Sequence, residues 1–362
     1  MKLTAKIKLL PTPKQVQALK DTLQVANAAC NYISAIAWEK KCFGKRDLQK
    51  LAYYDVKSKF KLSAQVVIRC LAKVADSYKL DKATKREFKE TGAIAFDSRI
   101  LRYLPKASQV SIWTTKGRQK IAYVAGEHQK YLLKTQKGES DLCFAKGKFY
   151  LAATCDIKAL TPQKPKNGHL GVDLGIKQLA TTSEGIAYTG EKVEQTRQRY
   201  QKLRDSLQSK GTKRTKRKLK QISGRQKRFQ KDVNHCIAKD LVATAKAQKK
   251  GIAMENLKGL TRNTKKEKRL RKAQRSKHSN WAFYQLRTFV AYKAEKAGVQ
   301  LTLVNPKYTS TTCTRCGHCE KANRKSRDVF QCKKCNYTTN ADYNAAVEIA
   351  KRADVKQPHV GV

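Results

Sequence analysis

The sequence is poor in acidic residues and has no long apolar run. Asp and Glu number 28 against 79 Lys and Arg, which gives a formal net charge of +51 over 362 residues. No apolar run approaches the roughly 18 to 20 residues of a membrane span. The opening MKLTAKIKLLPTPK also lacks the apolar stretch of a signal peptide. We therefore expect a cytoplasmic protein with no membrane partner.

The motifs of several enzyme classes are missing as well. There is no GxSxG, no HExxH and no P-loop sequence, so serine, cysteine or zinc-protease chemistry has no support. No internal repeat is evident. With 40% hydrophobic residues, the chain can nevertheless bury a core, and its length predicts two or three domains.

Positive charge is what the sequence has in excess, and it occurs in nearly every segment. A membrane-surface protein would instead concentrate it on one amphipathic helix. Nucleic acid offers closely spaced phosphates and releasable counterions to such a charge. The clusters at 211–220 and 261–277 are dense enough to follow a phosphate backbone, although solvated stretches have the same composition. We predict a nucleic-acid-binding protein, with a generally basic soluble protein as the alternative.

The period of the apolar residues divides the chain. Helical spacing predicts a mainly helical segment from 11 to about 90. From about 93 the period changes to two, and Lys-Gly turns at 116–117 and 146–147 predict hairpins of a small β-barrel or meander. The stretch 161–168 contains two prolines and a glycine and is a candidate linker. Beyond it, strands alternate with helices, which predicts an α/β domain.

Three carboxylates follow strand or helix signals in this second half. Asp173 ends an apolar strand and precedes Gly175, whose missing side chain would let a ligand approach; Glu255 ends the strand GIAMEN. Asp342 lies in the first turn of the last helix, where a helix dipole also favours an acid. Each residue alone has an ordinary structural explanation. Together, in a chain poor in acids, they predict a site for two Mg²⁺ or Mn²⁺ ions that would support phosphodiester cleavage.

Two cysteine pairs give the most specific local signal. Cys313 with Cys316 and Cys332 with Cys335 form a C-x2-C, spacer, C-x2-C pattern. A reducing compartment favours metal over disulfides. We predict one structural zinc ion, with four thiolates closing its coordination sphere.

The loop between the pairs is basic. Arg324, Lys325 and Arg327 are candidate contacts to nucleic acid, and a solvated loop is the equal alternative. His235 and the tryptophans Trp113 and Trp281 are expected to be packing residues rather than catalysts or stacking platforms.

Three segments together resemble the TnpB (OrfB) family that accompanies bacterial insertion sequences and is similar to compact type V CRISPR effectors. They are GVDLGIK at 171–177, MENLKGL at 254–260 and the cysteine-rich stretch at 308–346. The resemblance covers most of the chain and is strongest from 169 to 350. It implies a metal-binding triad of Asp173, Glu255 and Asp342, a guide RNA, and a double-stranded target DNA.

The resemblance also implies a multidomain α+β fold. A β-barrel wedge domain would span 1–165, with a helical recognition lobe inserted at about 11–90. An RNase H-like (RuvC) nuclease domain would span 166–362, with a zinc ribbon inserted at 308–338. The implied activity is magnesium-dependent, RNA-guided DNA cleavage.

Two other functions stay open. A non-cleaving, RNA-guided DNA-binding regulator would share the fold, although the three acids are intact. A transposase that acts directly in DNA recombination would be expected to show the acids in the order D, D, E, whereas the order here is D, E, D with the cysteine pairs between the last two.

Overall fold

A computed structural model of the protein describes residues 1–257 and 283–355. The basic cluster at 261–277, Trp281 and the end of MENLKGL lie outside these described residues. The chain divides into two compact units, Met1–Lys158 and Ala159–Val362. None of the described helices is long and apolar enough to cross a membrane.

The first unit is a seven-stranded antiparallel sheet with three helices inserted after its first strand and a short fourth helix between its fifth and sixth strands. In the sheet the strands are ordered β2-β6-β7-β1-β5-β4-β3. The strands are β1 Lys2–Leu10, β2 Ile94–Phe96, β3 Leu101–Leu104, β4 Gln109–Thr114, β5 Gly117–Val124, β6 Gln136–Ala145 and β7 Lys148–Asp156. The helices are α1 Pro13–Glu39, α2 Lys45–Phe60, α3 Ala64–Leu80 and α4 Glu127–Leu133. Because the edge strands β2 and β3 are joined by only residues 97–100, the sheet nearly closes on itself.

Both predicted hairpins are confirmed, although the first one turns at Thr115 and Lys116 and Gly117 already belongs to β5. In the β6–β7 turn, Lys146 and Gly147 have φ of 52° and 75°, the left-handed pair that a two-residue hairpin turn requires. The predicted packing role of Trp113 is confirmed too, since its ring packs against the core of this unit.

The helical prediction to about 90 is too long, because no helix covers 81–93. Two asparagines of α1 hold this backbone instead. Asn27 donates to the carbonyls of Glu90 and Gly92, and Asn31 bonds both the N–H and the carbonyl of Phe88. These asparagine side chains satisfy backbone groups that would otherwise bond within a helix. The segment is therefore held in place without forming a helix.

The second unit contains a five-stranded sheet and a two-stranded ribbon. The strands are β8 His169–Asp173, β9 Gln178–Thr182, β10 Ala187–Thr189, β11 Gly251–Glu255, β12 Leu301–Val304, β13 Val329–Gln331 and β14 Thr338–Asn340. The helices are α5 Glu191–Lys210, α6 Lys213–Ile222, α7 Arg225–Ala247, α8 Phe283–Ala297 and α9 Ala341–Asp354. The sheet order is β10-β9-β8-β11-β12, with β8, β11 and β12 parallel. The predicted mixed α/β architecture is thereby confirmed.

Helices cover both faces of this sheet. Leu170 and Val172 of β8 pack in the core formed with α7 and α8, whereas Gly171 faces α9. A Cβ at Gly171 would lie 1.9 Å from the carbonyl oxygen of Ala346 in α9. Only glycine therefore lets α9 lie this close to β8.

Candidate active site and metal centre

The sheet register brings two of the predicted acids together. β8 and β11 are adjacent and parallel, with Val172 opposite Met254, so Asp173 and Glu255 end neighbouring strands at the same edge. Side chains alternate along a strand, and both acids therefore share the face that carries Gly171. That is the face covered by α9.

The third acid enters from α9. Asn340 caps this helix, accepting from the N–H groups of Asp342 and Tyr343, and so fixes the first turn. At the other end of α9, Asp354 accepts from His169 Nδ1 at 2.7 Å. These contacts hold α9 at both ends. All three predicted carboxylates line one cavity of about 1060 Å³.

Burial and mutual repulsion disfavour charge on these acids. Burial, then the nearby charges of Glu255 and Asp342, raises the pKa of Asp173 to about 7, against the opposing effect of Arg324. Burial also raises the pKa of Glu255, although the Thr309 hydroxyl lowers it. For Asp342, burial again raises the pKa, and Arg324 opposes it. A bound cation would offset both the burial and the mutual repulsion of these carboxylates.

Two of the three carboxylates already contact other side chains. Glu255 Oε1 accepts the Thr309 hydroxyl at 2.5 Å, and Asp342 Oδ1 lies 3.6 Å from Arg324 Nη2. Among the described residues, the three acids do not form a compact ligand set like the four cysteines. Their oxygen donors suit Mg²⁺ or Mn²⁺ in type.

Gly175 has a further role in the structure. A Cβ there would lie 2.6 Å from the carbonyl oxygen of Gln178. The missing side chain thus makes room for the backbone of the turn into β9. Gly175 also lines the cavity, so the expectation that a ligand can approach it stays a prediction.

The four cysteines form a compact sulfur cluster. Their sulfur atoms lie within 4.8 Å of one another, with 3.7 Å between Cys313 and Cys335 and 3.6 Å between Cys316 and Cys332. Zn–S bonds of about 2.3 Å in a tetrahedron place sulfurs about 3.8 Å apart. The spacing therefore fits a zinc ion. The other nearby candidates face elsewhere, since His318 lies beside Glu320 and Cys319 beside Thr311.

The two cysteine pairs form two turns of the same kind. The N–H of Gly317 donates to Cys313 O at 2.9 Å, and that of Asn336 donates to Cys332 O at 3.0 Å. Both donors have positive φ, 74° and 53°. Gly and Asn are the residues that tolerate this conformation.

The loop between the cysteine pairs reaches the carboxylates. Arg324 and Arg327 line the cavity, whereas Lys325 is exposed and is not among the described lining residues. Lys177, in the turn after β8, lies 2.9 Å from Asp328 of the loop. This exposed ion pair links the loop to the turn that follows β8.

Residues that the sequence interpretation missed also build the site. Thr309 contacts Glu255, Gly171 admits α9, and the fully buried Asn344 ties α9 to the first cysteine turn. The fully buried asparagine in the last helix had no visible signal. His235 stacks on Phe289 at 3.8 Å, as expected of a packing residue.

Two family models match the chain. The OrfB_IS605 model, described as a probable transposase, matches residues 152–264, and the Cas12f1-like TNB domain matches residues 283–349. The second match contains all four cysteines and Asp342.

Curated relatives share moderate identity with the chain. The CRISPR-associated endodeoxyribonuclease Cas12f1 of Syntrophomonas palmitatica is 32% identical over 46% of this chain and 35% of its own length. The putative RNA-guided DNA endonuclease InsQ of Escherichia coli is 30% identical over 56% of this chain and 53% of its own. The TnpB-like protein MJ0751 of Methanocaldococcus jannaschii is 29% identical over 45% and 58%. The chain thus spans about a third to three fifths of the length of these relatives.

A solved chain has the same fold. In the cryo-EM structure of a Cas12f1-sgRNA-target DNA complex, a chain matches 94% of this one, and 83% of that chain is covered. The TM-score is 0.63 at 16% identity.

Proposed function

Since this chain belongs to the TnpB (OrfB) family, we propose that it is an RNA-guided DNA endonuclease of a transposable element. It would hydrolyse phosphodiester bonds at a metal-dependent, RuvC-like site. The observation that carries this proposal is the arrangement of Asp173, Glu255 and Asp342 around one cavity in a chain of net charge +51.

The domain assignment follows from the same proposal. Residues 166–362 would form the RNase H-like domain, and the order β10-β9-β8-β11-β12 with acids at the ends of β8 and β11 supports this. Residues 1–165 would form the wedge domain, with α1 to α3 as the recognition lobe. The ribbon at 308–338 would be an insertion that closes over the nuclease site.

Each acid would act as a metal ligand. Asp173, Glu255 and Asp342 would hold two Mg²⁺ ions, which supply an activated water and stabilise the leaving oxygen. Arg324 and Arg327 line the same cavity and would bind the phosphate of the DNA strand. When a phosphate competes for Arg324, Asp342 is released from its 3.6 Å contact with that guanidinium.

Zinc would have a purely structural role at Cys313, Cys316, Cys332 and Cys335. Four thiolates leave no open coordination position, which suits a structural ion. The fit of the sulfur spacing to a tetrahedron supports this assignment.

Guide RNA and double-stranded target DNA are the proposed partners. The net charge of +51 supports polyanion binding. The printed names of the relatives, RNA-guided DNA endonuclease and CRISPR-associated endodeoxyribonuclease, support the choice of RNA and DNA.

The test begins with the RNA that copurifies with the protein after expression together with flanking element DNA. Sequencing this RNA identifies the guide, and a plasmid library with a matching target then reports cleavage. We expect cleavage with Mg²⁺ and none by Asp173→Ala, Glu255→Ala or Asp342→Ala, while each variant still binds target. Cleavage by all three variants at the wild-type rate would refute the proposed site.

A transposase is the second candidate, since the OrfB_IS605 model is described as a probable transposase. The same preparations separate the functions. Strand joining without any guide RNA would favour the transposase. Guide-dependent target binding without cleavage by the wild-type protein would favour a DNA-binding regulator.

A further inference from the structure

The segment between β12 and the first cysteine pair takes a defined path past the carboxylates. Tyr308 has φ of 65°, a left-handed conformation that a bulky residue rarely adopts. Its carbonyl accepts from the N–H groups of Thr311 and Thr312, at 3.1 and 3.0 Å. The resulting turn leaves Tyr308 65% exposed and buries Thr309 to 3% exposure.

Thr309 is buried against an acid of the proposed catalytic site. Its hydroxyl has one proton and two acceptors within reach, Glu255 Oε1 at 2.5 Å and Pro306 O at 3.0 Å. An ionised carboxylate is the stronger acceptor. The hydroxyl therefore donates to Glu255 when that side chain is charged, which is the state that binds a metal ion.

Two side chains of α9 hold this segment in place. Asn344 donates to Thr312 O at 2.8 Å and accepts from the Thr314 hydroxyl at 3.0 Å. Arg352 donates to Lys307 O at 2.6 Å. The helix that carries Asp342 thus also fixes the turn that carries Thr309.

We infer that Thr309 is a positioning residue for Glu255. The inference rests on the proposed nuclease site and extends it from three acids to a fourth residue. One oxygen of Glu255 is fixed by the Thr309 hydroxyl, which orients the carboxylate toward the cavity. α9 carries Asp342 and also fixes the turn that carries Thr309. This one helix therefore aligns Glu255 with Asp342. The opposing explanation is that Thr309 merely fills space and bonds Pro306.

Three variants of the full-length chain separate these explanations. Thr309→Val keeps the shape and removes the hydroxyl, and Thr309→Ser keeps the hydroxyl. Thr311→Val is the matched control, since its hydroxyl bonds Tyr308 O and Cys319 Sγ and, among the described residues, contacts no acid. If Thr309→Val loses its fold or its zinc, Thr309→Ala removes the same hydroxyl and takes its place.

The first measurement is Mn²⁺ affinity by electron paramagnetic resonance, with Asp173→Ala protein as the blank. We expect Thr309→Val to bind Mn²⁺ about 10- to 100-fold more weakly, the usual effect of removing a partner of a metal ligand. Thr309→Ser and Thr311→Val should stay within about three-fold of the wild type. Unchanged affinity in Thr309→Val, or equal losses in the Val and Ser variants, would overturn the inference.

A double-mutant cycle tests the route through Glu255. In the Glu255→Ala background, which leaves the hydroxyl no side-chain oxygen at this position, adding Thr309→Val should lower Mn²⁺ affinity no further, because the hydroxyl acts on the Glu255 carboxylate. A full additional loss would assign Thr309 a packing role instead. Neither result depends on cleavage.

Cleavage by the guide-bound complex distinguishes this inference from the proposed function. At limiting Mg²⁺, Thr309→Val should cleave at least about ten-fold more slowly, and excess Mg²⁺ should restore much of the rate. If the wild-type complex cleaves nothing while the Mn²⁺ results hold, the nuclease proposal fails and the positioning role stands. If the wild type cleaves and Thr309→Val cleaves equally well at every Mg²⁺ concentration, the positioning role alone fails.

Discussion

The cysteine cluster and the carboxylate cluster lie in the same unit and are built in opposite ways. The four cysteines come from 23 consecutive residues, and two similar turns bring their sulfurs within 4.8 Å. The three acids are spread from Asp173 to Asp342 and converge only through β8, β11 and α9. One site is therefore local, and the other depends on the register and packing of the whole sheet.

The two sites also differ in what stabilises them. Around the cysteine cluster, the apolar core is small and includes Phe330 and Ala341 with Cys313 and Cys332. Zinc binding would supply much of the folding free energy of so small a module. The carboxylates instead sit on a well-packed sheet that forms despite their repulsion. The cysteine module would thus need its metal in order to fold, whereas the carboxylate site would hold its geometry without one.

The largest expected effect comes from removing a zinc ligand. Cys332→Ser should lose the zinc, unfold the module and abolish cleavage, because the segment with Thr309 and the start of α9 both adjoin the module. Zinc content by mass spectrometry and the cleavage assay report the two losses. Cys319→Ser is the control and should keep both. Retained zinc in the first variant, or lost zinc in the second, would show that the ligand set is wrong.

A change in the sheet should damage only the tertiary site. Gly171→Ala places a Cβ against the carbonyl of Ala346, so α9 must shift and carry Asp342 with it. We expect cleavage to fall on the order of 100-fold, because misplacing a reacting group by about 1 Å costs that much. The zinc should remain.

The control for this variant is Gly185→Ala. Gly185 has φ of 84° and open space around it, so alanine there strains a turn without touching α9. Its thermal stability should fall and its cleavage rate should stay close to the wild type. Equal loss of cleavage in both variants would mean that general destabilisation, and not the position of α9, explains the effect.

The contact between Arg324 of the cysteine loop and Asp342 predicts an intermediate effect on the cleavage rate. Arg324→Ala should slow cleavage about ten-fold or more, since it removes a cation that faces both Asp342 and the proposed phosphate position. Lys325→Ala, in the same loop but exposed, should change the rate by about two-fold or less. Rates under single-turnover conditions, at equal guide loading, provide the comparison. Equal effects would argue for a general charge contribution of the loop.

The smallest expected effect is on stability and follows from the raised pKa of Asp173. This pKa is about 7 in the folded chain and near the ordinary value of 3.8 in the unfolded chain. The folded state is thus favoured most below about pH 4, and that advantage is lost as the pH rises to about 7. Asp173→Asn does not titrate and should be more stable than the wild type at pH 8 by on the order of 2 kcal/mol in magnesium-free buffer.

Thermal unfolding at pH 5 and pH 8 measures this difference. The gain from Asp173→Asn should be smaller at pH 5, where the wild-type carboxyl is largely protonated. Added Mg²⁺ should stabilise the wild type at pH 8 and not the variant. A gain of the same size at both pH values would mean that charge on Asp173 is not the cause.

The sequence by itself determined features that depend on near neighbours. The β6–β7 hairpin, the end of α5 at Gly211, the start of α7 at Gly224, and the zinc-type spacing of the cysteines were all predictable. Their causes are local, because a Lys-Gly turn, a left-handed glycine and two C-x2-C pairs each act within a few residues. The three acids could be named for the same reason, since each follows a strand or begins a helix.

Only the tertiary structure decided how the acids are arranged and held. That Gly171 admits α9, that Thr309 bonds Glu255 and that Asn344 fastens the first cysteine turn all involve residues brought together from different elements. Thr309 and Glu255 are 54 positions apart. Hydrogen bonds and close packing act over a few ångströms of space, and sequence spacing gives no measure of that distance until the sheet register is set.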